Sequence, residues 1–88
     1  MKIPEGKIKW ASRRGMRELD LMLLPFVEHD LKELSEQEVE DYMDLLQASD
    51  LQLVRWFNGV ETPDSQKRCN MVRLIVSKHS NRIGKEGV

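Results

Sequence analysis

The sequence predicts an all-α fold, a compact bundle of five short helices. Three observations lead there. Apolar residues recur at spacings of three and four almost throughout. No stretch alternates apolar and polar residues long enough to read as a strand, and β-branched residues are sparse. Helix-start and helix-stop signals follow one another at short intervals. With 88 residues there is room for one core, so residues 1–88 are expected to form a single domain, with 1–6 and 83–88 as flexible ends.

The first helix is expected from Lys7 to Arg14, with Ile8, Ala11 and Ser12 inward and Gly15 closing it. Glu18 and Asp20 then fall near the start of a second helix, where the dipole favours carboxylates. Its stripe is Leu19, Met22, Leu23, Phe26, Val27 and Leu31. Pro25 lies inside, removing one backbone hydrogen bond. The period passes through it without a phase shift, which predicts one kinked helix extending to Leu34.

Ser35-Glu36-Gln37-Glu38 is a capping box opening a third helix. Val39, Tyr42, Met43 and Leu46 would face inward, and Glu36, Glu40, Asp41 and Asp44 outward. Ser49 or Asp50 caps a fourth helix carrying Leu53, Val54, Trp56 and Phe57, which Asn58-Gly59 stops. Thr62-Pro63 reads as a cap followed by proline in the first turn of a fifth helix. That helix would carry Met71, Val72, Ile75, Val76 and His79 and stop near Asn81, with Gly84 beyond.

Composition narrows the function. Apolar residues make up 40% and charged residues 33%, which suits neither a disordered chain nor a membrane protein. The longest apolar run, Leu21 to Val27, is far short of the ~18 residues of a span. The first six residues carry no apolar targeting segment, and a lone Cys69 suits a reducing compartment, so a cytoplasmic location is expected. Cys69, His29 and His79 are too few for a zinc site, and no metal is expected. The formal charge of −1 hides a segregation: residues 1–17 carry +5, residues 18–50 carry −10 and residues 51–88 carry +4. Such blocks either pair within the fold or face a charged partner. The acidic middle opposes a nucleic-acid partner.

Little supports catalysis. There is no glycine-rich phosphate loop. Glu28 and His29 are adjacent and fall on different helical faces. Cys69 has no histidine within one turn to activate it. The chain is therefore expected not to be an enzyme, with no catalytic residue.

The unusual stretch runs from Trp10 to Asp20, WASRRGMRELD. It places cations, a side-chain-free position and carboxylates around a helix–helix corner. Gly15 would let another backbone approach closely, and Arg14 offers a planar fork of donors. Equally, Gly15 could be a simple cap, with Glu18 satisfying free N–H groups and the arginines solvated. The residues alone leave both readings open.

Arg14-Gly15-Met16-Arg17-Glu18 resembles the R-G-x-x-E signature of the FAD assembly factors of succinate dehydrogenase, the SdhE (YgfY-like) family. The similarity extends over W-A-x-R-R-G-M-R-E-L-D at Trp10 to Asp20 and P-F-x-E-H at Pro25 to His29. Beyond these, Leu45-Leu46, Asp50 to Phe57 and Met71 to Ile75 are also similar. The resemblance implies a five-helix assembly chaperone, whose partner is the flavoprotein subunit of succinate dehydrogenase and of the related fumarate reductase. There a histidine of the subunit joins the 8α carbon of the flavin, largely by the flavoprotein's own chemistry. The factor would favour a productive conformation of the subunit. FAD would belong to the partner and not be held stably by this chain.

Carried onto this sequence, the resemblance assigns partner contacts first to Arg14, Gly15 and Glu18. Arg14 and Glu18 would bond to partner groups near the flavin pocket. Arg13, Arg17 and Asp20 flank the motif, and His29 lies on the P-F-x-E-H segment and shares that face. A monomer is expected. The alternative is an antitoxin-like or regulatory protein-binding module, a label also attached to this family, on the same surface.

Overall fold

The computed structural model describes residues 3–86, with side chains through Ile83. Five α-helices and one 3-10 turn follow in order among these residues: α1 Glu5–Ser12, α2 Arg17–His29, the turn Leu31–Glu33, α3 Glu36–Leu45, α4 Asp50–Phe57 and α5 Gln66–Glu86. The all-α expectation holds.

α1 starts and stops two residues earlier than the sequence suggests. Pro4 carries a pre-set φ of −59° at the N-cap, and its carbonyl accepts from the N–H groups of Lys7 and Ile8. Residues 5 and 6, expected to be loose, therefore form the first turn. At the other end the Ser12 hydroxyl donates back to the Ile8 carbonyl at 2.7 Å, and Arg13 turns extended. Gly15 lies in the connection to α2 with φ +79°, rather than closing α1.

α2 runs unbroken through Pro25. It ends at His29 and not at Leu34: Asp30 still donates its N–H to the Phe26 carbonyl at 2.8 Å, the chain then tightens into the 3-10 turn, and the Asp30 carboxylate accepts from Arg82 at 2.6 Å. Leu31 is still buried, carried inward by the 3-10 turn. The capping box of α3 is formed as expected, Glu38 N–H donating to the Ser35 hydroxyl oxygen and Ser35 N–H to the Glu38 carboxylate. Asp44, expected outward, is half-buried and accepts from Arg68 Nε at 3.0 Å.

Ser49, not Asp50, caps α4, with Gln52 completing a second capping box. Gly59 follows at φ +73°. The start of α5 is a correction: Thr62-Pro63 precede the helix, and Ser65 caps it, its hydroxyl accepting from Arg68 N–H at 3.2 Å. The helix also passes the Ser80-Asn81 stop, and the next residue, Arg82, is anchored to Asp30. Residues 83–86, expected as a flexible end, continue α5, whereas 87–88 lie outside the described residues.

The core collects one face of each helix. Leu19, Leu23 and Phe26 of α2 are fully buried against Tyr42 and Leu45 of α3, Leu53 of α4 and Ile75 of α5. Each such apolar side chain stabilises the fold by roughly 1.5–3 kcal/mol relative to exposure. The Phe26 and Tyr42 rings pack with centroids 5.4 Å apart. Because the Ser12 hydroxyl proton is committed to Ile8, the Tyr42 hydroxyl is the donor in its 2.6 Å bond to Ser12 Oγ. That bond fastens the end of α1 to α3, directly beneath the Arg13–Met16 corner. Burial raises the Tyr42 phenol to about 12.

Candidate docking site

The corner between α1 and α2 is held from within. Arg14 points its fork into the molecule rather than outward. Its Nε donates to the Asp50 carboxylate at 2.8 Å, Nη1 to the carbonyls of Leu46 and Ala11 at 3.0 and 3.3 Å, and Nη2 to the Ala48 carbonyl at 3.1 Å. The Leu46 and Ala48 carbonyls belong to the chain leaving α3, where helical partners run out, and a cation is favoured there. In the chain by itself the Arg14 donors serve the α3–α4 connection, and its side chain is 19% exposed.

Asp20 is also turned to the corner itself. It accepts from the Arg14 backbone N–H at 2.9 Å, closing the loop from the first turn of α2. Between these two anchored residues the chain is pushed outward. Gly15 is exposed, with nothing within 4 Å of where a Cβ would stand. Its glycine is required locally by the positive φ and not by crowding.

Arg13, Arg17 and Glu18 are exposed around it, and none makes a side-chain hydrogen bond or ion pair among the described residues. The purely local role, in which Glu18 caps α2, is not what the structure shows: the N-cap is Met16, without a side-chain bond.

Two depressions meet here. A shallow one runs beside Gly15 over Arg17, Asp20, Leu21, Leu24 and Pro25. A larger groove of 810 Å³ lies between α2, α4 and the end of α5, and Glu18 and His29 both line it. Leu21 and Pro25 line both, so glycine corner and groove form one continuous face. The structure thus brings Gly15, Arg17, Glu18, Asp20 and His29 onto one surface, leaves Arg13 exposed near it, and turns Arg14 inward to support it.

Leu21 and Asp50 are the residues that sequence reasoning missed. Leu21 is 55% exposed and apolar. Its place off the Leu19–Leu23–Phe26 stripe is the signal that could have found it. Asp50, 36 residues from Arg14, gives no local signal.

Among the described residues there is no group of three or more His, Cys, Asp or Glu placed to hold a metal ion. No described helix is long and apolar enough to cross a membrane.

The model of the Sdh5 family, described as the flavinator of succinate dehydrogenase, matches residues 6–79. The chain belongs to this family. Its flavinator relatives include a Serratia protein 42% identical over 76 residues, covering 86% of each chain. A Vibrio vulnificus protein is 37% identical over 79 residues, 90% of this chain and 92% of its own. A Yersinia pseudotuberculosis protein is 37% identical over 78 residues, 89% of each. All three bear the name FAD assembly factor SdhE. The matched span of the flavinator family contains the whole glycine corner and both depressions up to His79.

Proposed function

We propose that this chain is an assembly factor that docks onto the flavoprotein subunit of succinate dehydrogenase, and of fumarate reductase, and promotes covalent attachment of FAD. The observation that carries the reading is the open glycine corner, Gly15 exposed at φ +79° beside an unengaged Glu18, in a chain of the flavinator family. A side-chain-free backbone held proud of the surface accepts another polypeptide at close range. Glu18 supplies an acceptor for its donors, and Leu21 and Pro25 supply apolar contact.

The role is conformational. A ligand that binds one conformer more tightly shifts the population toward it, and about 5.5 kcal/mol of difference inverts a ratio from 1:99 to 99:1. Aligning the subunit's histidine with the flavin then lowers the barrier to the bond. Arg14 and Asp20 act as positioning residues, fixing the shape of the corner. The flavin stays with the subunit. In support, the groove sets two carboxylates, Glu18 and Glu28, against one arginine, Arg82, which is already paired with Asp30, a balance that does not favour a pyrophosphate. The chain works as a monomer in the cytoplasm and performs no catalytic step itself.

The test is in-gel flavin fluorescence of the flavoprotein subunit in cells lacking this protein. Loss of the signal, restored by the intact chain and not by a Glu18→Ala variant, is expected. Full fluorescence without the protein overturns the reading.

A further inference from the structure

The sequence leaves open whether its acidic middle is neutralised inside the fold. The structure answers this. Of the eleven acids between residues 18 and 50, Asp30, Asp44 and Asp50 form ion pairs with Arg82, Arg68 and Arg14 among the described residues. Most of the remainder stand exposed, and several gather at one place away from the glycine corner.

That place is a cleft of 420 Å³ between the first turns of α1, the end of α2, the 3-10 turn and the start of α3. Its floor is apolar, with Ile8, Val27 and Leu31 buried and Val39 half-buried. Its rim carries Glu5, Glu28, Glu36 and Glu40, all exposed. Against them stand Lys32 on the rim and Lys9, which pairs with Glu5 at 3.5 Å. The positive end of α3 opens here, but its capping box already satisfies the end, so it does not call for an anion.

We propose that this cleft is a second docking surface, and that its occupant is a cationic amphipathic helix of another polypeptide. An apolar floor alone would not select an occupant; the carboxylate rim does, by favouring lysine or arginine beside the apolar anchors. No described strand offers an edge for an extended peptide to join, and an apolar floor between helices with a charged rim suits an amphipathic helix. Apolar side chains at positions i, i+3 and i+4 would enter the cleft while flanking cations reach the rim. The inference does not depend on the flavoprotein reading, since it uses a different set of floor residues and only Glu28 is shared with the groove beside His29.

The test uses the full chain, isotope-labelled, and two synthetic helical peptides. Both carry leucine at i, i+3, i+4 and i+7; one has lysine at the remaining positions and the other glutamate. The lysine peptide is expected to shift the amide resonances of Ile8, Leu31 and Val39 in a saturable way, more tightly at low salt, and the glutamate peptide is not. Glu36→Gln/Glu40→Gln should weaken the lysine peptide by roughly three- to tenfold, the size of two exposed charge pairs. The proposal is overturned by equal responses to both peptides, by no response at millimolar peptide, or by shifts centred on Leu21 and Pro25 instead. An unchanged affinity in the double variant also overturns it. Should that variant fail to fold, the mapping on the unmodified chain decides.

Discussion

The Arg14 guanidinium lies 2.8 Å from the Asp50 carboxylate and joins the exposed corner to the first turn of α4. Together with the Leu46 and Ala48 carbonyls, this makes Arg14 the fastener of three chain segments. Arg14→Ala should therefore destabilise the isolated protein by about 1–3 kcal/mol, since it strands part-buried acceptors. Urea denaturation checks this with no partner present. An unchanged midpoint would show that the fork is not anchored. Asp50→Asn should lower flavinylation in the same direction as Arg14→Ala, but less, although Asp50 is far from the motif in sequence.

Gly15 separates strain from docking. Gly15→Ala should cost about 1–2 kcal/mol for a side chain held at positive φ, and Gly15→Asn less. Gly15→Arg should pay a similar strain and remain helical by circular dichroism, because nothing lies within 4 Å of the new Cβ. Yet it should fail to support flavin attachment in cells. If Gly15→Arg unfolds, the corner is structural and its docking role loses its basis.

Glu18 and His29 are exposed and share one groove. Glu18→Gln and His29→Ala should each change stability by less than about 0.5 kcal/mol. Both should reduce flavin fluorescence of the partner subunit. A large loss of thermal stability in either would contradict the structure.

Tyr42 makes stability depend on alkaline pH. Its folded value, about 12, is raised above the ordinary phenol value of 10.0 by burial. A raised value means that the folded state holds the proton more tightly. The contribution is thus fully present below pH 10 and is lost as pH climbs from about 10 to about 12, amounting to roughly 2–3 kcal/mol. Denaturation midpoints measured across that range should fall more steeply for the native chain than for Tyr42→Phe.

Core truncation calibrates these effects. Ile75→Ala and Val72→Ala remove buried methyl groups and should cost about 1–4 kcal/mol, read by the same urea series.

Local signals in the sequence were reliable where the physics is local. The Ser35–Glu38 box, the buried stripe of α2 and the stop at Gly59 rest on neighbours within one turn, and each appears as expected. The misplaced boundaries have two kinds of cause: a competing local cap, as with Pro4 and Ser65, and a contact between distant residues, as with Asp30 and Arg82. Asp30 at the end of α2 meets Arg82, 52 positions away, on the extended last stretch of α5, a contact that no local signal announces. Thr62-Pro63 lost the start of α5 to Ser65, an equally good cap one turn later. At the corner, sequence identified Gly15 and Glu18 on the surface, but not the inward turn of Arg14. A guanidinium that could serve a partner or the fold's own carbonyls looks the same in one dimension, and only the position of the α3–α4 connection decides between them.

The pairing of Arg82 with the nearly enclosed Asp30 turns the last helix into a latch. Arg82 also forms part of the wall facing His29. Proteolytic clipping upstream of this arginine would strand a carboxylate in a poorly hydrated spot and remove one side of the groove. Affinity handles belong downstream of it, where they leave the latch closed.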